Sequence, residues 1–276
     1  MLKFKNLFVG CTFVILTLPL LAEGQKEYTF SLSVNTVNSK YTKAQQESHS
    51  NGYTSIASLS KKVSKKIILT GILGYVKTNL LYDSSGSDAK SDIDVNLYGL
   101  SSLVILTPSQ YLNASVIYNT SRIGTDGTIN NTNVGSTTDA TSLTATLSFI
   151  QIVPVNQRFY TSFTGSLNYQ DGKTLGYTTS SGSFIPASTS TVTYATFRLE
   201  PNYIMGNGWK ANVNIQYSIA NRSFVSGEED RDYYMLGFMI NKQLGDTWEI
   251  GLYGNRQYRL IYSQSDSIGL SANIKF

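Results

Sequence analysis

The sequence predicts an all-β protein, specifically an antiparallel transmembrane β-barrel of about twelve strands. Apolar and polar residues alternate along most of the chain, which is the pattern of half-buried strands. The alternating segments come in an even number, as single-chain bacterial barrels require, and their connections alternate between short and long. Aromatic residues then separate a membrane barrel from a soluble sandwich, as argued below.

The composition excludes several functional classes. The 276 residues contain one Cys and one His, which excludes a disulfide scaffold and any metal site with several His or Cys ligands. The formal net charge of +4 gives no basis for nucleic-acid binding. We therefore expect no metal, no cofactor and no nucleic-acid partner.

The first 22 residues have the three-part plan of a secretory signal peptide. Two lysines come first, an apolar run from Leu7 to Leu21 follows, and Ala22 is a small residue suited to cleavage. The run is short compared with the roughly 20 residues that a membrane-spanning helix needs. Residues 1–22 are thus predicted to be a signal peptide, and residues 23–276 the transmembrane β-barrel domain.

Alternation defines the strands in order along the mature chain. In residues 209–219, Trp209, Val213 and Tyr217 share one face of a strand, whereas Lys210 and Asn214 point to the other. The pattern is equally clear in 28–35, 159–169 and 267–276. It is weaker in 67–78, 92–105, 111–119, 141–151, 192–203, 233–241 and 248–257, and weakest in 51–60.

The connections support a barrel that crosses a membrane. Short connections are predicted at 61–65, 107–109, 154–157, 205–208 and 243–246. Longer polar connections are predicted at 40–50, 81–91, 120–139, 171–190, 222–231 and 258–265. Short turns at one rim and long loops at the other are typical of membrane barrels.

Aromatic placement indicates that the apolar face meets lipid. If successive strands alternate in direction, Phe159, Trp209 and Trp248 fall near the short-turn end of the apolar face, and Tyr217 falls near the long-loop end. Aromatic side chains favour membrane boundaries. These residues therefore predict two aromatic girdles around a lipid-facing band.

The last strand carries a resemblance to a known class. Apolar residues alternate through Leu270 and Ile274 to the terminal Phe276. This pattern resembles the carboxyl-terminal signature of bacterial outer membrane β-barrel proteins. The resemblance implies that the barrel assembly machinery reads these three residues in a Gram-negative cell, and that the first strand closes on the last. Short periplasmic turns, long extracellular loops and contact with outer-membrane lipid and lipopolysaccharide are then expected.

The polar face defines a candidate site in the lumen. We expect six charged residues to project inward near the short-turn mouth: Arg158, Arg198, Glu200, Lys210, Glu249 and Lys275. Mid-barrel positions are expected to be mostly Ser, Thr, Asn, Gln, Gly and Tyr. The charges either form a constriction that sorts solutes or pair with one another and stiffen the wall. Small barrels are filled by their own side chains, whereas large ones leave an open channel. A barrel of about twelve strands lies between these sizes, so both interpretations stand.

The leading functional hypothesis is a non-enzymatic, porin-like channel for small hydrophilic solutes in the bacterial outer membrane. One alternative is an occluded structural or adhesive barrel that presents its polar loops. A second is an outer-membrane lipid hydrolase, because residues 48–52 resemble the His-x-Ser-Asn-Gly signature of outer membrane phospholipase A. Here His49 is followed directly by Ser50, which would place the two side chains on opposite faces of a strand. No catalytic residue is therefore assigned.

Overall fold

The computed structural model describes residues 27–43, 46–84, 87–129, 132–222, 231–259 and 263–276. The predicted signal peptide lies outside these residues. Within them, twelve antiparallel strands form one closed barrel, which confirms the predicted fold class and strand number. No helix in the described residues is long and apolar enough to cross a membrane.

The twelve barrel strands follow one another around the wall, and each pairs with its neighbours in the chain. They are β1 (Tyr28–Lys43), β2 (Gln46–Ser64), β3 (Ile67–Ser84), β4 (Ser87–Thr107), β5 (Gln110–Ile129), β6 (Thr132–Pro154), β7 (Phe159–Thr174), β10 (Ser188–Gly206), β11 (Trp209–Ala220), β12 (Asp232–Leu244), β13 (Trp248–Arg259) and β14 (Ser263–Lys275). Between β7 and β10, the two-residue strands β8 (Tyr177–Thr178) and β9 (Phe184–Ile185) form a separate small hairpin.

The first strand closes the barrel on the last. Thr29 is the register partner of Lys275, and the pairing continues to Tyr41 opposite Ser263. At the short-turn end, the backbone N–H of Tyr28 donates to the Phe276 carbonyl, and the N–H of Phe276 donates to the Tyr28 carbonyl, both over 3.1 Å. The two rings stack with centroids 5.8 Å apart. This seam is the predicted closure.

The apolar face of each strand points outward. On β11, Ile215 is 49% exposed, whereas the polar Ser218 of the opposite face is fully buried. The same division holds on β1, where Leu32 and Val34 are exposed while Asn35 is buried. A soluble sandwich would bury its apolar face and expose its polar one. The chain does the reverse, as a barrel in lipid does.

Several strands are longer than the sequence pattern predicted. β4, β5 and β6 have 21, 20 and 23 residues, whereas β11 and β13 have 12 each. The predicted long connections at 40–50, 81–91 and 120–139 are therefore wrong in large part, because the ladder continues through them. Their Ser, Thr and Asp residues alternate without an apolar face. A paired strand outside lipid needs no apolar face. The alternation of polarity therefore did not reveal that the strands continue through these segments.

The extra length leaves one edge of β6 beyond its partner β7. Pairing between these strands begins at Ala140, so residues 132–139 pair only with β5. The loop that carries β8 and β9 covers this edge. The N–H of Ser180 donates to the Gly135 carbonyl over 2.8 Å, and the Gly135 N–H donates to Ser180 Oγ over 2.8 Å. Uncovered strand edges pair with other chains, so this loop protects the barrel from association.

Removal of residues 177–185 is expected to expose this edge and cause self-association of the detergent-purified protein. The smaller change Ser180→Ala removes only the two hydrogen bonds of the side chain, to the Gly135 N–H and the Asn133 carbonyl, so it should leave the protein monodisperse. Light scattering during size-exclusion chromatography measures both. A monodisperse deletion variant would show that the loop does not protect the edge.

Candidate functional site

Four of the six predicted charges form two ion pairs on the lumen wall. β10 carries Arg198 and Glu200, β11 carries Lys210 and β13 carries Glu249, all on the inward face. Arg198 Nη1 lies 3.8 Å from Glu200 Oε1, and Lys210 Nζ lies 3.8 Å from Glu249 Oε2. The second pair reaches past the intervening strand β12. The structure thus forms two cation–carboxylate pairs on neighbouring strands, which together we call the charge cluster.

Neutral side chains fix these charges against the wall. Glu249 Oε1 accepts hydrogen bonds from the amides of Asn241 at 3.3 Å and Asn273 at 3.2 Å. Gln216 Oε1 accepts from Arg198 Nε and Nη2 at 3.2 and 3.0 Å. The two ion pairs are long, and the four charged side chains keep 16 to 25% of their surface accessible. The cluster therefore presents both signs of charge to the lumen from fixed positions.

The other two predicted charges lie apart from these pairs. Arg158 is exposed in the turn between β6 and β7, where its N–H donates to Asn156 Oδ1 over 2.8 Å. It therefore belongs to the rim, because the strand begins only at Phe159. Lys275 occupies the inward face of β14 and is half-buried, beside the closing seam.

Glycines in the inward face allow polar side chains to meet over a strand. Asn214 of β11 donates from Nδ2 to Asn255 Oδ1 of β13 over 3.2 Å, and this bond crosses above Gly237 of β12. A Cβ on Gly237 would lie 2.5 Å from Asn214 Nδ2. The bare backbone is therefore required for this bridge, and sequence alone did not reveal it.

The wall opposite the charges differs from the sequence expectation. Near the short-turn mouth, β3 to β6 direct an apolar cluster inward that consists of Ile68, Leu103, Ile105, Tyr111 and Ile150, with Ile152 packed against it. Ile150 is only 1% exposed. The sequence analysis named only charged residues near this mouth, so it missed this apolar cluster. Stretches such as 103–106 could have predicted this apolar cluster, because they are apolar on both faces of the strand.

His49 does not share a strand face with its neighbouring serines. Its side chain is exposed on the outer face, Nε2 lies 3.0 Å from Glu47 Oε1, and Ser48 is buried on the inner face. Lys40 contacts the same carboxylate, and its hydrogen bond and positive charge lower the pKa of Glu47. A histidine on the opposite face cannot take the proton of either adjacent serine, so the arrangement that a serine hydrolase needs is missing at this strand.

The predicted girdle and assembly residues have exposed or half-exposed positions on the outer side of the barrel. Trp209 and Trp248 are exposed near the short turns, Phe159 begins β7, and Tyr217 contacts Tyr234 at a centroid distance of 4.9 Å. Eight residues separate Trp209 from Tyr217 on β11. At about 3.3 Å per residue and a tilt of about 40°, this spans roughly 20 Å, close to the apolar band of a membrane barrel.

Leu270 and Phe276 are exposed, and Ile274 is half-buried on the same face of the last strand. Their reading as an assembly signal stays a prediction, as does the membrane-boundary role of the girdle residues.

Comparison with known proteins identifies the fold. No family model and no curated protein matches the sequence. The translocator domain of the autotransporter NalP from Neisseria meningitidis superposes with a TM-score of 0.78 at 12% identity, covering 93% of this chain and 91% of that one. The chain has the fold of a bacterial outer-membrane β-barrel.

Two further solved structures share this fold. The β-domain of the Bordetella autotransporter Brka matches with a TM-score of 0.75 at 11% identity, covering 91% of this chain and all of that one. A Pseudomonas aeruginosa FadL homologue matches with a TM-score of 0.53 at 13% identity, covering 91% and 90%. At such low identity the likeness extends to the fold alone.

Proposed function

We propose that this outer-membrane β-barrel is a non-enzymatic, narrow diffusion channel for small hydrophilic solutes, located in the outer membrane of a Gram-negative bacterium. The observation that carries the proposal is the charge cluster on β10, β11 and β13. Arg198, Glu200 and Glu249 are held by hydrogen bonds, and Lys210 by its ion pair with Glu249. All four side chains keep accessible surface and point into the lumen. Rings of fixed charges select ions and polar solutes in pores.

The polar half of the wall supports the same function. Along β7, inward polar side chains such as Ser166 and Gln170 are half-buried and keep hydroxyl and amide surface. Hydroxyl and amide groups replace water around a polar solute without demanding one sign of charge. The cluster then acts on solutes that have already entered.

Single-channel recording in planar lipid bilayers tests the proposal. Pure refolded protein is expected to give discrete current steps, and Lys210→Glu should raise the cation-to-anion permeability ratio roughly fivefold. Two units of charge several ångströms from a permeating ion in water are worth on the order of 1 kcal/mol. The reversal potential in a salt gradient measures the ratio.

Lys242→Glu is the matched control for this recording. It makes the same change of charge near the same mouth, but Lys242 lies on the outer face, with Nζ 5.2 Å from the centroid of the Trp209 ring. Its selectivity should stay at the wild-type value. Absence of current steps from folded wild-type protein would refute the channel, and equal shifts from both variants would remove the cluster from its mechanism.

A second candidate is an occluded structural barrel with its loops presented as a binding surface. The apolar cluster around Ile150 favours it, because this cluster fills part of the short-turn mouth with packed side chains. Such a barrel would remain electrically silent in the same recordings. Outer-membrane lipid and lipopolysaccharide would surround either form.

A further inference from the structure

The middle of the lumen carries a continuous apolar surface on one wall. It consists of Ile56 on β2, Ile72 and Val76 on β3, Val95 and Leu97 on β4, and Ile117 on β5, which we call the apolar stripe. All six side chains point inward by register, since they alternate with exposed outer residues such as Leu73 and Leu100. Inward polar residues, among them Thr70, Ser101 and Asn113, separate the stripe from the apolar cluster of the short-turn mouth.

The stripe is continuous because two inward glycines join its members. Gly74 separates Ile56 from Leu97, and a Cβ on it would lie 2.7 Å from Leu97 Cδ1 and 3.3 Å from Ile56 Cγ1. Gly99 separates Ile72 from Ile117, and a Cβ on it would lie 3.2 Å from a carbon of each. The apolar side chains therefore converge over the bare backbone.

The stripe keeps surface that opens to the lumen. All six residues are half-buried, in contrast to the fully buried cluster at the mouth. Neighbouring strands cover their flanks and the backbone covers their base, so the remaining surface faces the interior. Apolar surface in contact with water is a favourable place for the apolar part of a solute.

The opposite wall is mainly polar and carries both signs of charge, although Met235 and Met239 of β12 also point inward. In the closed order, β3 and β4 lie six strands from β11 and β12. β11 and β13 contribute Asn214, Gln216 and Asn255, and the charge cluster lies on the same side toward the short turns. A solute in the lumen thus has apolar surface on one side and amides, ammonium, guanidinium and carboxylate groups on the other.

We infer that the lumen selects small zwitterionic solutes with an apolar side chain, such as free apolar amino acids. The inference rests on the proposed function, that the barrel conducts solutes. As such a solute passes, Arg198 or Lys210 pairs with its carboxylate and Glu200 or Glu249 with its ammonium, while the stripe receives its apolar body. Mixed charge on one wall suits a zwitterion better than an ion of either sign, because both of its groups find partners.

Liposome swelling with a matched pair of amino acids tests the inference. Leucine and asparagine have similar size and the same zwitterionic head, but only leucine has an apolar side chain. Vesicles that contain the wild-type barrel are expected to swell about threefold faster in leucine, because transfer of a methylene group from water to an apolar surface favours leucine entry. Protein-free vesicles give the background rate for both solutes.

Val76→Thr combined with Val95→Thr tests the stripe directly. The two residues are register partners, and the substitutions keep side-chain shape while adding hydroxyl groups. The leucine rate should fall to the asparagine rate, while the asparagine rate stays unchanged and reports an intact pore. Val34→Thr combined with Val116→Thr makes the same change on the outer face and should keep the wild-type ratio.

The outcomes separate the two proposals. If neither amino acid enters the vesicles, the channel function fails. If both enter at equal rates, or if the inner double variant keeps the wild-type leucine preference, the stripe does not select solutes although the barrel conducts.

Discussion

Valine in place of Gly237 is expected to destabilise the folded barrel by roughly 2–4 kcal/mol, as overpacking and the loss of a buried hydrogen bond add together. A Cβ at this position would come within 2.5 Å of Asn214 Nδ2 and closer still to Asn255 Oδ1. The two asparagines would have to separate, which would break their 3.2 Å bond and leave polar groups unpaired in the wall.

Urea unfolding in lipid vesicles, followed by tryptophan fluorescence, measures this loss. Gly165→Val is the control, because Gly165 lies on the outer face of β7 and a Cβ there would meet no atom within 4 Å. The control should unfold at the wild-type urea concentration. Equal stability of the Gly237 variant would show that the bridge over β12 is not a structural constraint.

Deletion of Phe276 is expected to destabilise the folded barrel about as much as Gly237→Val does. Its effect on assembly in cells is expected to be larger than its effect on stability. The deletion removes two backbone hydrogen bonds of the seam and the stacked ring on Tyr28. Such losses are worth about 2–3 kcal/mol in sum. In a Gram-negative host, we further expect little folded protein in the outer membrane, since the assembly machinery is predicted to read this residue.

Two assays distinguish the two roles of Phe276, which are closure of the seam between β1 and β14 and recognition by the assembly machinery. Refolding in lipid vesicles, read by heat-modifiable electrophoretic mobility, reports the seam alone, whereas surface display in cells reports both. Phe149→Ala is the control, because it removes an exposed aromatic ring of the same face outside the last strand. Normal display of the deletion variant would contradict the signal, and normal refolding would show that the seam tolerates its loss.

The alternation of the sequence predicted the fold because a strand in lipid has two chemically different faces. Even the weakly alternating stretch 51–60 forms a strand, since its register with β1 and β3 supplies the pairing that its composition does not show. Strand length was underestimated because prediction from alternation requires an apolar face. Beyond the lipid, residues such as Ser91 and Thr125 still pair through their backbones and hydroxyl groups.

The candidate site was predictable only in part. Parity along one strand placed Arg198, Lys210 and Glu249 inward, but it gave no information on which residues of different strands lie at the same height. That depends on the register of several neighbouring strands. The Lys210–Glu249 pair passes over β12, and the apolar stripe needs four strands in alignment. Neither arrangement can be read from any single segment.

The unequal strand lengths make it possible to locate the surface of the bilayer along the strands of the protein itself. In the proposed membrane location, the uninterrupted ladder of β5 and β6 would pass from lipid into water, so amide protons of one strand would experience both environments. Deuterium uptake residue by residue along β6 should therefore rise between Leu143 and Gly135. The position of that rise would locate the lipid headgroups on the protein without any label or probe.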